Sequence, residues 1–582
     1  MNNKRKGLLI SVLFLVLFVG FNLLNYKRTL LSISEMRYYY GEWGLLKTAF
    51  YWSAYASSIA ATMVLLLSVS RTVRWIGLGF VFIFVSIEFA YQAINGQGVR
   101  FFEVLVGVWE ISFAGQAAKT YTKEILSGLF YGVLLISVLA TLVRYVRIRF
   151  RPRWLAVVPV SLAMVYSIIW KTSAGNDQFP PMFKIPLLLA YTLQSPLAGK
   201  RDPVALEARN GAKVKHLIFI IDESIRGDFL GINRFSRETT PYLDSISDRI
   251  LNLGLACSGA NCSQTSNIIL QSGVRLDQLP DRKQLTLKLP NIFQYAKAAG
   301  YKTYFLEGQY PPGKLPPHMS QYDLADIDEV FQIDKSDSVK GGYNTDFTLA
   351  ARIKDIVKSD TLTFILVNKR GVHFFYEDAY PPEKRYFKPV LTTRVTVNNA
   401  NKNEVLKSVD RTRMINSYCN GIRWSVDGFF RDLLPALRFD DTVLLYTSDH
   451  GQSIKEGSSS ATHCTTANPP SSHAAVPLFV MGKKATDFFT NGVSELQNHV
   501  SHFQIFPSLL IWMGYDVAPV QEKYGVPLWV YDSTPRKFLS GDLFGRGSNF
   551  SLNEFHFKPY RLPGSMTHEL QPLTSMSVSS EN

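Results

Sequence analysis

The stretch HLIFIIDES at residues 216–224 combines an uninterrupted apolar run with two carboxylates at its end. A short run without polar alternation is typical of a strand that is buried on both faces of a parallel sheet. Further along the chain, similar runs alternate with helical patterns as far as VPLFVMG at 476–482. This alternation predicts an α/β domain with a largely parallel central sheet, which we place at residues 214–561.

Four more strands and four helices are predicted in this domain. Further strands are ILNLGLA (250–256), YKTYFLE (301–307), LTFILVN (362–368) and DTVLLYTSD (441–449). Predicted helices are TTPYLDSISD (239–248), NIFQYAKAAG (291–300), DFTLAARIKDIVKS (346–359) and a long helix over 405–434.

The N-terminal part carries apolar runs at about residues 7–25, 49–70, 75–94, 125–143 and 154–170. Each approaches the ~20 residues that a helix needs to cross a bilayer, so we predict a domain of five transmembrane helices at residues 1–173. The first run lacks a small-residue cleavage site and is interpreted as an uncleaved anchor. Residues 174–213 are interpreted as a connector, and residues 562–582 as a poorly ordered tail.

Lysine and arginine in the short flanking segments indicate the orientation of such a domain. They are concentrated before the first run, between the second and third, and between the fourth and fifth. With five spans these segments share one side of the membrane, which should be cytoplasmic. Everything after Trp170 is then expected outside the cytoplasm.

The formal net charge of +15 follows the same division. Residues 1–153 hold 17 Lys and Arg against 6 Asp and Glu, which is +11, and the remainder holds 45 against 41, which is +4. The basic character therefore reflects membrane topology and contact with anionic membrane lipids. We accordingly expect no nucleic-acid partner.

Carboxylates and imidazoles stand where several predicted strands end. Asp222 and Glu223 close the first strand, and DTVLLYTSD runs into Asp449 and His450. The other imidazoles near strand ends are His373, His463 and His473. Parallel strands bring their carboxyl ends to one edge of a sheet, so we expect these groups to converge. Mixed carboxylate and imidazole ligands favour Zn²⁺ or Mn²⁺.

A hydroxyl-rich stretch, CSGANCSQTSNIILQSG at 257–273, follows another short strand. The Ile-Ile-Leu after Asn267 indicates the buried side of a helix that begins near Ser263. A hydroxyl in the first turn of a helix lies where free backbone N–H groups and the helix dipole favour negative charge. A neighbouring metal would lower the pKa of that hydroxyl, so the stretch is a candidate source of a nucleophile.

These segments resemble the alkaline phosphatase/sulfatase superfamily, and most of all its membrane-bound phosphoethanolamine transferases. The motifs that carry the resemblance, in the order of that family, are DESIRGDFLGINRF, SQTSNIILQSG, RGVHFFYEDAYP, MINSYCNGI, LLYTSDHGQS and HAAVPLFV. Members of that family have five spans followed by a periplasmic sulfatase-like domain. The resemblance therefore implies a multi-pass protein of a bacterial inner membrane with a sulfatase-like catalytic domain at residues 214–561.

The resemblance also implies roles for the strand-end residues. Positions that match metal ligands of the family are Glu223, Asp449 and His450. His373 matches the histidine of a loop that contacts the transferred phosphate, and His463 matches a later histidine that serves as acid or base. His473 is an additional candidate with a looser match, and Asp222, at the end of the first strand, is an additional candidate as ligand of a second metal.

The nucleophile position departs from the family pattern. The transferases usually carry threonine there, and sulfatases carry a cysteine or serine that is converted to formylglycine. Counting back ten residues from Gly273 gives Ser263 as nucleophile and metal ligand, with Thr265 and Cys262 as rivals. Neither CxPxR nor SxPxR is present, since Asn267 stands in place of the arginine, so conversion to formylglycine is not expected.

The function implied by the resemblance is metal-dependent transfer of phosphoethanolamine from phosphatidylethanolamine to an envelope glycolipid or glycan, through an ester on Ser263. One alternative is a phosphoglycerol transferase, or a hydrolase of the sulfatase or phosphodiesterase type, with the same metal core. Another is a non-catalytic membrane scaffold. The acceptor stays open, and four cysteines, Cys257, Cys262, Cys419 and Cys464, allow three pairings.

Overall fold

The computed structural model of this chain divides into two compact units. The described residues are 44–95, 99, 104, 122–146, 148–171, 179–193, 200–209, 214–316, 319–333, 342–391, 410–456, 463–464, 469–490, 493–545 and 550–559. One unit comprises Met1–Gly199 with Arg546–Asn549, and the other Lys200–Gly545 with Phe550–Asn582. We refer to them as the membrane unit and the catalytic unit, after the two domains that the sequence predicts.

The membrane unit consists of helices. They are α1 (Gly44–Leu66), α2 (Arg71–Asn95), α3 (Thr122–Tyr145), α4 (Val157–Lys171) and α5 (Pro181–Leu193). In the part of the chain that the structure describes, four helices are long and apolar enough to cross a membrane, and they correspond to the second to fifth predicted spans. The first predicted span, 7–25, lies outside the described residues.

Helix α5 lies within the segment that was interpreted as a connector. It begins with Pro181 in its first turn, where proline costs no hydrogen bond, and it continues through Pro186. Lys184 of α5 forms an ion pair with Glu88 of α2, with 2.7 Å between Nζ and Oε1. Residues 181–193 of the predicted connector thus form a helix, and its apolar side chains pack into the membrane unit.

The catalytic unit is built on a seven-stranded sheet. Its strands are β1 (His216–Asp222), β2 (Leu251–Cys257), β3 (Lys302–Glu307), β4 (Glu329–Gln332), β5 (Thr363–Asn368), β6 (Thr442–Ser448) and β7 (Ala475–Met481). They lie in the order β2-β7-β6-β1-β5-β3-β4. All pairs are parallel except the two that involve β7. The prediction of a largely parallel sheet is confirmed.

Helices and a small second sheet complete the unit. The helices are α6 (Pro241–Ser245), α7 (Ser263–Ser272), α8 (Leu285–Lys288), α9 (Ile292–Ala298), α10 (Thr345–Ile356), α11 (Arg411–Ile422), α12 (Phe429–Leu433), α13 (Lys483–Thr486), α14 (Ile505–Trp512) and α15 (Val517–Tyr524). Strands β8 (Lys537–Gly541) and β9 (Phe550–Glu554) pair antiparallel. The long helix expected over 405–434 is interrupted by a π-helix, Arg423–Gly428, between α11 and α12.

Strand β1 shows why its sequence is apolar throughout. Leu217, Phe219 and Ile221 pack into one core layer, and Ile218 and Ile220 pack into the layer on the opposite face of the sheet. Because side chains alternate along a strand, a strand covered on both faces needs apolar residues at every position. The central strands are therefore inaccessible along their length, and polar groups collect at their ends.

The strand directions bring the predicted site residues to one edge. β1, β2, β5 and β6 all point the same way, so their carboxyl ends lie together. β7 runs the opposite way, so its first residue, Ala475, lies at that edge too. The fold thus collects residues that are up to 251 positions apart in the chain, from Asp222 to His473.

Candidate active site

Helix α7 begins at Ser263, as expected from the sequence. Cys262 precedes it in an extended conformation, and the helix ends at Gly273 with a φ of 66°. A Cβ at Gly273 would lie 2.4 Å from the Phe506 ring, so only glycine fits this helix end. The hydroxyl of Ser263 therefore lies at the positive end of a ten-residue helix.

Three buried side chains form a cluster at the sheet edge. Ligand atoms of Glu223, Asp449 and His450 all lie within 4.8 Å of one another. His450 Nε2 is 3.7 Å from Glu223 Oε1 and 3.6 Å from Asp449 Oδ2. Because these groups converge from the ends of β1 and β6, the sheet itself sets their spacing.

The hydrogen bonds of Asp449 and His450 leave one atom of each directed into the cluster. Asp449 Oδ1 accepts from the backbone N–H groups of Ser224 and His450, whereas the buried Oδ2 has no hydrogen-bond partner among the described residues. His450 Nδ1 lies 2.7 Å from the carbonyl of Gly451, so Nδ1 carries the proton and Nε2 offers a lone pair. A buried carboxylate oxygen without a donor and an imidazole lone pair together fit a cation.

The pKa of Asp449 also indicates that the cluster fits a cation. Burial and the charge of Glu223 raise the pKa of Asp449 well above its usual range. Two buried carboxylates this close keep their charges only when a cation lies between them. The oxygen and nitrogen donors present here fit zinc in number and type.

Ser263 faces this cluster. Its Oγ lies 3.0 Å from His450 Nε2 and 3.5 Å from Glu223 Oε1. The structure thus brings together the four residues that were predicted to share a metal, from the ends of β1 and β6 and the start of α7.

Two further histidines lie beside the cluster. The ring of His463 stacks on His450, with 4.4 Å between centroids. His373 meets His463 edge to face, with 5.6 Å between centroids, and its side chain is exposed. His463 therefore lies against the ring that contacts Ser263 Oγ, and His373 lies beside His463.

A disulfide bond joins Cys262 to Cys464, with 4.7 Å between the Cα atoms. The other two cysteines, Cys257 and Cys419, are free and buried. Each of the three possible pairings would contain two disulfide bonds. The structure contains only the bond between Cys262 and Cys464 among the four cysteines, all of which are described. Cys262 is not available as a nucleophile in place of Ser263, because its sulfur is bonded to that of Cys464.

Three of the additional candidates do not join the cluster. The carboxylate of Asp222 accepts hydrogen bonds from Lys369 Nζ at 2.5 Å, from the Tyr446 hydroxyl at 2.9 Å and from the backbone N–H of Glu223 at 3.0 Å. Burial raises the pKa of Asp222 to about 6.

The other two are His473 and Thr265. His473 is buried with Nε2 at 3.0 Å from Ser453 Oγ, and burial lowers its pKa to about 3. Its carbonyl accepts from the N–H of Gly451, so it supports the turn after His450. Thr265 lies two residues into α7, and the contacts with Glu223 and His450 are made by Ser263 instead.

Sequence reasoning missed His502. Its Nε2 lies 3.1 Å from Thr447 Oγ1 and its Nδ1 3.3 Å from Ser266 Oγ. Ser266 in turn donates to the carbonyl of Asp449. Burial lowers the pKa of His502 to about 3, so its imidazole is neutral near neutral pH. Its two ring nitrogens connect Ser266 of α7 to Thr447 at the end of β6. It lies before a helix rather than at a strand end, so no sequence pattern singled it out.

The comparisons with known proteins agree with this arrangement. The family model described as Sulfatase matches residues 215–515. Kdo(2)-lipid A phosphoethanolamine 7''-transferase of Escherichia coli (strain K12) is 26% identical over 249 residues, which cover 41% of this chain and 40% of the relative. Phosphoethanolamine transferase EptC of Escherichia coli O18:K1:H7 (strain RS218 / NMEC) is 22% identical over 319 residues, 54% of this chain and 52% of the relative. The chain thus matches about half the length, or less, of these curated relatives.

One solved structure matches nearly the whole chain. It is the integral membrane protein lipooligosaccharide phosphoethanolamine transferase A of Neisseria meningitidis, with a TM-score of 0.56 and 18% sequence identity. The match covers 90% of this chain and 99% of that one. At this identity the likeness concerns the fold, which includes both the helical part and the α/β part.

Proposed function

The chain belongs to the sulfatase family, and we propose that it is a phosphotransferase that moves phosphoethanolamine from phosphatidylethanolamine to an envelope glycolipid or glycan. The observation that carries the proposal is the position of Ser263 Oγ, 3.0 Å from His450 Nε2 at the start of α7. A hydroxyl in this position is poised for attack on a phosphorus atom.

Two observations favour transfer through Ser263 over the chemistry of sulfatases proper. The arginine of the formylglycine signature is replaced by Asn267, and Cys262 is in a disulfide. Ser263 therefore stays a plain hydroxyl nucleophile. The names of the curated relatives also support phosphoethanolamine as the transferred group.

We infer that Glu223, Asp449 and His450 hold a zinc ion, with Ser263 beside it. Bound there, zinc would supply positive charge that lowers the pKa of the serine hydroxyl and stabilises charge on a phosphoryl oxygen. Manganese, which the same donors also accept, is distinguished by metal analysis of the purified protein.

In the first step, Ser263 Oγ forms a bond to the phosphorus of phosphatidylethanolamine. The bond from phosphorus to the glycerol oxygen breaks, and diacylglycerol leaves with a proton. A phosphoethanolamine ester remains on Ser263. His463 is the proposed source of the leaving-group proton, because it lies against His450 at the edge of the cluster.

In the second step, an acceptor hydroxyl or phosphate attacks the same phosphorus. His463 takes the proton of an attacking hydroxyl, and the bond from phosphorus to Ser263 Oγ breaks. Ser263 Oγ then takes up a proton from solvent, which balances the hydroxyl proton that it released to solvent in the first step. The exposed His373, next to His463, is proposed to contact the phosphoryl oxygens. The net reaction exchanges one phosphate ester for another, or for a phosphoanhydride when the acceptor is a phosphate, and needs no oxidant or further co-substrate.

The helices of the membrane unit suit a lipid donor. A chain anchored by several spans stays at the membrane that contains its lipid donor, which raises the local donor concentration. We place the protein in a bacterial inner membrane with the catalytic unit in the periplasm. The oxidising character of that compartment agrees with the disulfide.

The test uses the purified full-length chain in detergent with phosphatidylethanolamine. We expect release of diacylglycerol and a phosphoethanolamine adduct on the peptide that contains Ser263, both detected by mass spectrometry. Ser263→Ala should lose both signals, and Thr265→Ala, a hydroxyl deletion in the same helical turn, should keep them. An adduct on a different residue, or none, would overturn the proposed nucleophile.

The same assay separates the alternatives. Phosphatidylglycerol as the better donor would indicate a phosphoglycerol transferase, and free headgroup without an acceptor would indicate a hydrolase. Absence of turnover in the metal-loaded wild-type protein with all these donors would favour a scaffold. Lipid A, core oligosaccharide, O-antigen and periplasmic glucan are then compared as acceptors by their gain of one phosphoethanolamine.

A further inference from the structure

Lys369 directly follows β5, and its side chain is completely buried. Its Nζ lies 2.5 Å from Asp222 Oδ2 and 2.7 Å from the carbonyl of Ser425. It also lies 3.7 Å from an oxygen of Asp346 and 4.3 Å from the centre of the Phe429 ring. A buried ammonium is costly unless it is fully paired, and here the end of β1, the start of α10 and the π-helix all contribute to pairing it.

The pairing of Lys369 reaches the candidate ligand Glu223 through Asp222. Asp222 Oδ1 accepts a 3.0 Å hydrogen bond from the backbone N–H of Glu223. Its Oδ2, which contacts Lys369, also accepts from the hydroxyl of Tyr446 at 2.9 Å. The carboxylate that Lys369 holds therefore orients the peptide from which the Glu223 side chain extends.

The loop after Lys369 is attached to the same peptide. Val372 N–H donates to the carbonyl of Glu223 at 3.1 Å. Gly371 has a φ of 58°, and a Cβ there would lie 2.4 Å from that carbonyl oxygen. The loop then reaches His373. Residues 369–373 thus enclose Glu223 and connect it to the exposed histidine at the site.

The π-helix completes this arrangement. A π-helix shifts the hydrogen-bond register of a helix and is frequently found at functional sites. Here it directs the carbonyl of Ser425 at Lys369, while Ser425 Oγ donates to Asp346 Oδ2 at 2.6 Å. Asp346 in turn accepts from the N–H groups of Arg370 and Gly371 at 2.8 and 3.3 Å. The loop at residues 369–373 is therefore hydrogen-bonded to Glu223 on one side and to Asp346 on the other.

We propose that Lys369 is a positioning residue, which sets Glu223 and the His373 loop relative to each other. This assigns Asp222 to the orientation of Glu223 and not to a second metal. The catalytic consequence rests on the proposed function, whereas the local consequence rests on these contacts alone. If Lys369 served stability alone, its replacement would lower the unfolding temperature without changing the site.

The first test compares Lys369→Met with Arg201→Met. Arg201 forms a matched ion pair in the same unit, 2.5 Å from Asp323, with side chains 13% and 5% exposed. We expect Lys369→Met to lower kcat by about 10- to 100-fold with little change in KM, and to weaken zinc binding by a similar factor. Arg201→Met should lower only the unfolding temperature. Wild-type kcat and zinc affinity in Lys369→Met would overturn the proposal.

The second test depends on neither the donor nor the metal. Hydrogen exchange of the full-length protein in chelator, read by mass spectrometry, should show faster exchange at residues 216–226 and 369–375 in Lys369→Met. In Arg201→Met these two segments should exchange as in the wild type. A wild type without transferase activity would defeat the proposed function and leave this comparison intact. Equal exchange in both variants would overturn the role of Lys369.

A third variant covers the case in which Lys369→Met fails to fold. Lys369→Met combined with Asp222→Asn removes both charges of the pair, so folding no longer requires an unpaired buried carboxylate at this position. We expect the unfolding temperature to return towards that of the wild type while kcat stays low. Recovery of kcat together with the unfolding temperature would show that Lys369 only balances charge.

Discussion

Cys262 is bonded to Cys464 across 202 residues of sequence. The bond joins the residue before Ser263 to the residue after His463. The disulfide therefore ties the backbone next to the proposed nucleophile to the backbone next to the proposed acid–base group. His463 in turn stacks on His450.

Replacing both bonded cysteines, Cys262→Ala with Cys464→Ala, should lower kcat by about 10- to 100-fold, because His463 loses its covalent attachment beside Ser263. It should also lower the free energy of unfolding, by about 2–5 kcal/mol for a native disulfide. Turnover and thermal unfolding measure the two effects separately. Cys419→Ala, at a free buried thiol, is the control. Loss of stability at full kcat would restrict the bond to a structural role.

Asp449→Asn should abolish zinc binding, because it removes the charge of the one ligand oxygen that has no hydrogen-bond donor among the described residues. It should also stabilise the chelator-treated protein near neutral pH. The raised pKa of Asp449, caused by burial and by Glu223, means that its charge opposes folding in the absence of a cation. Metal content by mass spectrometry and unfolding temperature in chelator check both statements. Zinc at wild-type stoichiometry in the variant would remove Asp449 from the ligand set.

Gly371→Ala should disrupt the site. A Cβ at Gly371 would lie 2.5 Å from Asp222 Oδ1 and 2.7 Å from the backbone nitrogen of Glu223, so the loop and the ligand must separate. Gly300→Ala is the matched control, since Gly300 also has a positive φ, of 87°, but its Cβ would meet nothing within 4 Å. Both variants bear the backbone strain of about 1–2 kcal/mol. Only Gly371→Ala should lose zinc affinity and turnover, and equal behaviour of the two would contradict the clash.

Glu307 should make stability depend on pH. Its carboxylate, at the end of β3, is fully buried and accepts hydrogen bonds from Asn368 and Tyr310. Burial raises its pKa from 4.5 to about 7. The folded state therefore binds this proton more tightly than the unfolded state, and stability falls as the pH rises from about 4.5 to about 7, by a contribution on the order of 3 kcal/mol.

Glu307→Gln carries no titrating group and should lack this part of the decline. The measurement is the unfolding temperature in detergent, compared for the variant and the wild type between about pH 5 and about pH 8. We expect the wild-type curve to fall more steeply with pH than the curve of the variant. Parallel curves would show that Glu307 keeps its usual pKa in the folded protein.

Much of the fold was predictable because it depends on local patterns. β1 is apolar at every position because both faces of the sheet are covered, and four of five predicted spans are helices of the expected length. The start of α7 at Ser263 followed from the apolar residues one turn later. The π-helix at Arg423–Gly428 was not predictable from a local pattern, because the partners of Ser425 come from the residue after β5 and from α10.

For the site, the residue types at the strand ends were visible in the sequence, and the parallel direction of the strands made their convergence an expectation. Which of them meet is a different matter. Asp222 and Glu223 are neighbours in the chain, yet one extends to Lys369 and the other to Ser263. Adjacent residues diverge in this way because successive side chains of an extended backbone point in opposite directions.

The linear order of residues was thus enough to establish the α/β domain, the apolar helices and the set of polar strand ends, since hydrophobic periodicity and strand direction act locally. The three-dimensional packing alone placed Ser263 Oγ against His450, paired Cys262 with Cys464, and brought His502 and Lys369 to the site. Each of these outcomes depends on distances of a few ångströms between segments that are far apart in the chain. Such distances follow from how helices and sheet fill the core together, which no local pattern encodes.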